Sequence, residues 1–330
     1  MRLSQAFEQF HQNIALSSLS EERVNRAWGR LHEHLTLSYG LAAEFVYIQG
    51  SYANDTAVKP ADSDGEYDLD IVCVCVDPDT GAEAAIDELT ATLAANADLE
   101  SRIEPNESGR PCVRLRYADD PEGFGFHVDI VPARGADPAA VIEVPIRGFE
   151  DWRDSAPFLY TQWCQEQPTL FPRVIRFLKR WRDEHHDGSI ASITLQVLAA
   201  RDLASLASSD AEAIAATLVS MRDTLAASPD SPPEILNPVL ESENLADRWD
   251  HDDYQKFRRE LSEAADLAQA ALQSPDPAQS HAGWSQLFGK DFPATPDDVE
   301  GGGGEGPPAP PPPPDRPDPR QEAPTDERYG

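Results

Sequence analysis

Asp68 and Asp70, two residues apart in "YDLDIVCVCV", are the residues whose type and spacing most directly suggest chemistry. On a strand, positions i and i+2 face the same side, so the two carboxylates stand together and repel. A divalent cation is the usual group that holds such a pair. A third acid, Asp129 in "FHVDIVPA", lies in another apolar strand pattern expected to pair beside the first. Three carboxylates on one side of a sheet make a two-metal site for phosphoryl or nucleotidyl transfer, because hard Mg²⁺ or Mn²⁺ takes such oxygen ligands. Gly50-Ser51 in "IQGSYAND" supplies the other half. Glycine lets the backbone approach a phosphate closely, and Ser51 can donate hydrogen bonds to it.

These residues need elements to hold them. "AEFVYIQG" reads as a short strand ending in the Gly-Ser turn. "YDLDIVCVCV" puts Val72, Val74 and Val76 on the acid-bearing side and Leu69, Ile71, Cys73 and Cys75 on the other. A strand apolar on both sides belongs in the middle of a sheet. "PCVRLRYA" and "FGFHVDIVPA" read as further strands joined through "DDPEGFG". Residues 3 to 38 read as helix, with Phe7, Phe10, Ile14, Leu16 and Leu19 along one stripe, then Val24, Trp28, Leu31 and Leu35, closed by Gly40. "GAEAAIDELTATLAANADL" reads as another helix. From about Trp152 the pattern is helical, through "TLFPRVIRFLKRWRDEH", "SIASITLQVLAARDLA" and "DDYQKFRRELSEAADLAQAAL". The expected fold class is α+β. Residues 1–150 are expected to form a mixed-sheet lobe with a long N-terminal helix, and residues 151–293 a helical lobe. Residues 294–330 are a Gly/Pro-rich acidic tail with almost no apolar content, expected to be disordered.

Composition narrows the partners. The formal charge is −32, with 59 acidic against 27 basic residues, and only four of the latter are lysines. Dense aspartate with sparse lysine matches surfaces kept hydrated at high salt. Such a surface repels phosphate backbones, so stable DNA or RNA binding is not expected. Cys73, Cys75, Cys112 and Cys164 form no CxxC pair or Cys/His cluster, which speaks against zinc and for reduced thiols. No apolar run reaches the roughly 18–20 residues that span a bilayer, and the N-terminus lacks a signal-peptide core, so no membrane association and a cytoplasmic location are expected. His32 and His34 lie on different helix faces, whereas His127 shares a strand face with Asp129 and could stand behind it. Arg173, Arg176 and Arg180 lie along one helical stripe, suited to phosphates or to surface acids.

The combination "QGSYANDTAVKP…YDLDIVC…HVDIVP" resembles the polymerase beta-type nucleotidyltransferase superfamily, and within it the cGAS/DncV-like nucleotidyltransferases (CD-NTases). "RVIRFLKRWRDEH…SIASITLQVLAA", "ILNPVLESENLADRW" and "WSQLFGKDFP" are similar to that family's later landmarks, so the resemblance covers roughly residues 1 to 293. One departure is the 16-residue stretch between Ser51 and Asp68, longer than the superfamily's usual spacing, in which "ADSDGE" looks like an acidic insertion.

The resemblance implies a synthase that makes a cyclic di- or trinucleotide second messenger from NTPs in anti-phage (CBASS) defence and acts indirectly on a cyclic-nucleotide-activated effector protein. It implies two Mg²⁺ or Mn²⁺ ions on Asp68, Asp70 and Asp129, the donor triphosphate on Gly50 and Ser51, and its β- and γ-phosphates on Lys179 and Ser192. It also implies that Gly330 could be captured by a ubiquitin-transfer-like conjugating protein. The competing readings are a non-cyclising nucleotidyltransferase (tRNA end, linear oligonucleotide, or protein or small-molecule acceptor) and a catalytically silent nucleotide-binding regulatory module.

Overall fold

The computed structural model describes residues 3–294 except 63–64, 149–150, 186–189 and 204–206. The tail from residue 295, including Gly330, lies outside the described residues. In chain order the elements are α1 (Ser4–Ile14), α2 (Ser18–Tyr39), β1 (Val46–Gln49), α3 (Gly50–Ala53), β2 (Glu66–Val74), α4 (Ala82–Ala94), α5 (Ala97–Glu100), β3 (Val113–Tyr117), β4 (Gly125–Ala133), β5 (Ile142–Pro145) and β6 (Trp152–Ser155). There follow α6 (Pro157–Gln165), α7 (Phe171–His185), α8 (Ser192–Asp202), α9 (Asp210–Ala226), β7 (Leu236–Asn237), β8 (Leu240–Asn244), α10 (His251–Gln273) and α11 (Pro277–Phe288). This is an α+β architecture with a mixed sheet and a run of helices. Two compact units emerge, each discontinuous in sequence. Of the described residues, one holds 16–55 and 62–165, and the other 3–15, 56–61 and 166–294.

The continuous helix expected over residues 3–38 is two helices. Ala15 and Ser17 are extended, and the Ser17 side chain accepts from the Ser20 N–H to start α2. This is the ordinary way a serine satisfies an orphan amide at a helix start. Leu19, assigned to the apolar stripe in the sequence, is 42% exposed because the break resets the helical phase.

In the sheet unit the strand order is β1-β2-β4-β3. β2 runs antiparallel to β1 and parallel to β4, and β3 is antiparallel to β4. β2 is therefore an inner strand, as its apolar character on both sides requires. Tyr67, Leu69, Ile71, Cys73, Phe126, Val128 and Ile130 point to one face and bury against Val24, Leu31 and Leu35 of α2 and Ile86, Leu89 and Leu93 of α4. Each such aliphatic side chain contributes roughly 1.5–3 kcal/mol. The opposite face is divided. Tyr47, Val72, Val74 and Ala133 are covered by Ile142, Val144 and Phe158. The other half of that face, toward the start of β2, carries the polar residues.

The helical unit is built on aromatic packing. Phe10 stacks on Phe288 at 4.5 Å and on Phe177 at 5.1 Å, and Phe7 meets Trp284 edge-on at 4.9 Å. α9, for which the sequence offers no clear periodic signal, packs beside α10. Its buried set includes Ala211, Ala213, Ile214, Ala215, Leu218 and Met221, so small apolar residues surround it and the usual contrast between faces is missing.

Candidate active site

Asp68 and Asp70 come from β2, whose alternation leaves Glu66, Asp68 and Asp70 on the open face while Tyr67, Leu69 and Ile71 go into the core. Parallel pairing places Asp70 in register with Asp129 of β4, and Asp68 with His127. Residues in register share a face, so the three acids and His127 occupy one patch of sheet. The sequence reading brought these three acids together, and the structure does the same.

Gly50 closes over the patch from the β1 side. Its φ of +72° lies in the left-handed region. A Cβ built there would run into Asp70 Oδ2, with Asp70 Cγ at 3.2 Å. Only glycine allows the turn to sit against this carboxylate. Ser51 follows directly in the half-buried α3 turn.

Asp129 has partners that the sequence reading missed. Arg114, in register with it on β3, donates from Nε to Oδ1 and from Nη2 to Oδ2, both at 2.7 Å. Hydrogen bonding to this carboxylate raises the guanidinium's pKa and keeps it firmly charged. The Cys112 thiol lies beside the same carboxylate; burial first, and then the negative charge of Asp129, push it up to about 12. One strand further along, Glu66 bonds His127 Nδ1 at 3.1 Å and pairs with Arg116, which also binds Glu104 at 2.8 Å. His127 thus stands behind Asp68 in register, held by Glu66. An arginine in an alternating strand reads as an ordinary exposed residue, so only the register reveals Arg114.

Lys179 and Ser192 belong to the helical unit. Lys179 is buried, and its ammonium donates to the Thr56 carbonyl at 2.9 Å and to the Thr56 hydroxyl at 3.4 Å, fixing residues 56–61 to that unit. Ser192 is the first residue of α8, and its hydroxyl accepts from Arg182 at 2.9 Å. Of the arginine stripe, Arg173 pairs with Glu8 and Asp210, and the fully buried Arg180 pairs with Asp291 and donates to the Lys59 carbonyl. Ion pairing is what the structure shows for these two. His32 and His34 bond the carbonyls of Ala43 and Thr92. All four cysteines are free, and three are buried.

The three acids of the patch fit a hard divalent cation, which takes carboxylate oxygens as ligands. Among the described residues no set of three His, Cys, Asp or Glu side chains is preassembled around a cation, and Asp129 is turned onto Arg114. No helix among the described residues is long and apolar enough to cross a membrane.

A mixed sheet with two acids on one strand, a third on its parallel neighbour and a glycine turn against them defines a nucleotidyltransferase lobe. Residues 1–167 match the Second Messenger Oligonucleotide or Dinucleotide Synthetase domain (SMODS), and the chain belongs to that family, the cGAS/DncV-like nucleotidyltransferases. Among curated relatives, a c-di-GMP synthase of Roseivirga ehrenbergii is 27% identical over 291 residues, 74% of each chain. A cyclic AMP-AMP-AMP synthase of an Acinetobacter species is 22% identical over 82% of this chain and 76% of that one. The cyclic dinucleotide synthase CdnG of Bradyrhizobium diazoefficiens is 39% identical over 88 residues, 27% of this chain and 19% of CdnG. The structure of CdnG solved in complex with GTP superposes with a TM-score of 0.69 at 21% identity, covering 87% of this chain and 96% of that one, and shows the shared fold.

Proposed function

We propose that this chain joins nucleoside triphosphates into a cyclic di- or trinucleotide that signals to an effector protein in anti-phage defence. The observation that carries this reading is the register of Asp70 beside Asp129 with Gly50 closed over Asp70. The relatives, named as cyclic di- and trinucleotide synthases, support the product class.

Asp68, Asp70 and Asp129 would hold two Mg²⁺ or Mn²⁺ ions, which when bound neutralise the triphosphate and acidify the acceptor hydroxyl. The chain's own part is positional. Gly50 admits a phosphate against the backbone, Ser51 donates to it, and Asp129 helps to activate the acceptor hydroxyl. The acceptor oxygen bonds to the α-phosphorus, the bond to the leaving pyrophosphate breaks, and the hydroxyl proton is lost at the acid patch. A second transfer of the same kind closes the ring. Lys179 and Ser192 are proposed to grip the β- and γ-phosphates. Free nucleotides suit a chain of charge −32 better than a long polyanion does.

The test is incubation of the purified protein with labelled NTPs, Mg²⁺ or Mn²⁺ and high KCl, followed by phosphatase. A product that survives phosphatase with as many phosphates as nucleosides by mass, and that disappears in Asp68→Ala/Asp70→Ala, is the expected result. A product left with one phosphate fewer than nucleosides is linear and would establish a non-cyclising transferase instead. Bound nucleotide without turnover under all these conditions would overturn the enzymatic reading.

A further inference from the structure

The proposed chemistry makes no use of Arg114, yet Arg114 occupies both oxygens of the third acid. The pair is bidentate, with both bonds at 2.7 Å, and it is set by the β3–β4 ladder rather than by a flexible surface chain. The two side chains are only 23% and 15% exposed, so water screens them weakly. A carboxylate has about four lone-pair sites, so a cation could still reach Asp129 with Arg114 in place. A guanidinium and a dication sharing one carboxylate repel each other strongly, however, and the two compete for it. A second acid is within electrostatic reach of Arg114. Glu104, whose main-chain N–H bonds the Arg114 carbonyl at 2.9 Å, acts on Arg114 through its charge while its side chain is shared with Arg110 and Arg116.

Resting on the reading of the acid patch as a cation site, we propose that Arg114 is a tethered counter-ion that holds Asp129 oriented before a divalent cation arrives, competes with the cation for it, and shifts toward Glu104 when the cation binds. Arg114 is then a positioning residue that sets how tightly the metal is held. An ion pair that merely braces β3 against β4 would leave metal affinity unchanged once the fold is intact.

Mn²⁺ titration of the full chain without nucleotide, with the free ion followed by electron paramagnetic resonance, separates these roles. The acidic surface contributes the same background to every variant, and the difference from Asp68→Ala/Asp70→Ala isolates the site. Arg114→Gln is expected to bind Mn²⁺ about tenfold more tightly, as fits removal of a contacting positive charge. Arg114→Lys, which keeps the charge, is expected to stay near wild type. Glu104→Gln, which removes the alternative acid, is expected to weaken Mn²⁺ about two- to threefold, a change well under that of removing the charge itself. Unchanged or weaker binding in Arg114→Gln with an intact melting transition overturns the proposal. If that variant does not fold, unchanged affinity in Glu104→Gln overturns it. Mn²⁺ binding that is the same in wild type and Asp68→Ala/Asp70→Ala would instead remove the cation site itself, and the inference with it.

Discussion

The two faces of the sheet use the same strands for opposite purposes. On the covered face, Leu69 and Ile71 of β2 and Val128 and Ile130 of β4 are fully buried between helices. On the open face, the residues between them are Asp68, Asp70 and Asp129, held by Gly50, Arg114 and a Glu66–His127 pair. Period-two alternation makes this division possible, and a one-residue slip would exchange the two sets. The covered face stabilises the lobe, whereas the open face places like charges side by side and needs counter-charges to do so. Stability and function should therefore respond separately to neighbouring residues of one strand.

The sharpest break of that contrast is Leu69→Ala. It should lower stability by about 2–5 kcal/mol in chemical denaturation, while product formed per folded molecule stays near wild type. A smaller loss, about 1–3 kcal/mol, is expected for Lys179→Met in the helical unit, because the buried Thr56 carbonyl loses its donor. Denaturation with intrinsic fluorescence detects it; no loss would mean that Lys179 does not anchor this segment. Gly50→Ala should cost about 1–2 kcal/mol from the left-handed backbone alone. Its added Cβ also displaces the Asp70 carboxylate, so product should fall at least about tenfold, the effect of about 1.4 kcal/mol on a barrier.

Glu104→Gln gives the smallest stability change. The Arg116 hydrogen bond holds the Glu104 carboxyl below its ordinary 4.5, so its contribution is present above that pH and is lost as pH falls through the lower folded value. Its partner Arg116 is 52% exposed, and solvent screening of that pair keeps the contribution under about 1 kcal/mol. Melting curves between pH 3 and 7 should show a shallower acid decline in the variant.

The sequence made the acid patch legible because its signals are local. Asp68 and Asp70 declare their shared face by spacing, Asp129 sits in an unmistakable strand, and a glycine before a serine marks the turn. What stayed hidden depends on register or on chain packing. Arg114 and Cys112 become site residues only because β3 pairs antiparallel to β4 at one particular offset. The break before α2 rests on a single serine cap, too weak a signal against a continuing apolar stripe. α9 is apolar on nearly every side, so no periodicity marks it. Lys179 is one of only four lysines, but its hold on Thr56 joins residues 123 positions apart, beyond any local pattern.

The decisive experiment pairs product formation with thermal melting for Asp70→Asn. Product at background and a melting temperature equal to or above wild type are expected, because one of two adjacent like charges is removed without loss of buried apolar contact. Product near the wild-type level, or its loss only together with the fold, would contradict the division of the sheet into a stabilising face and a catalytic one.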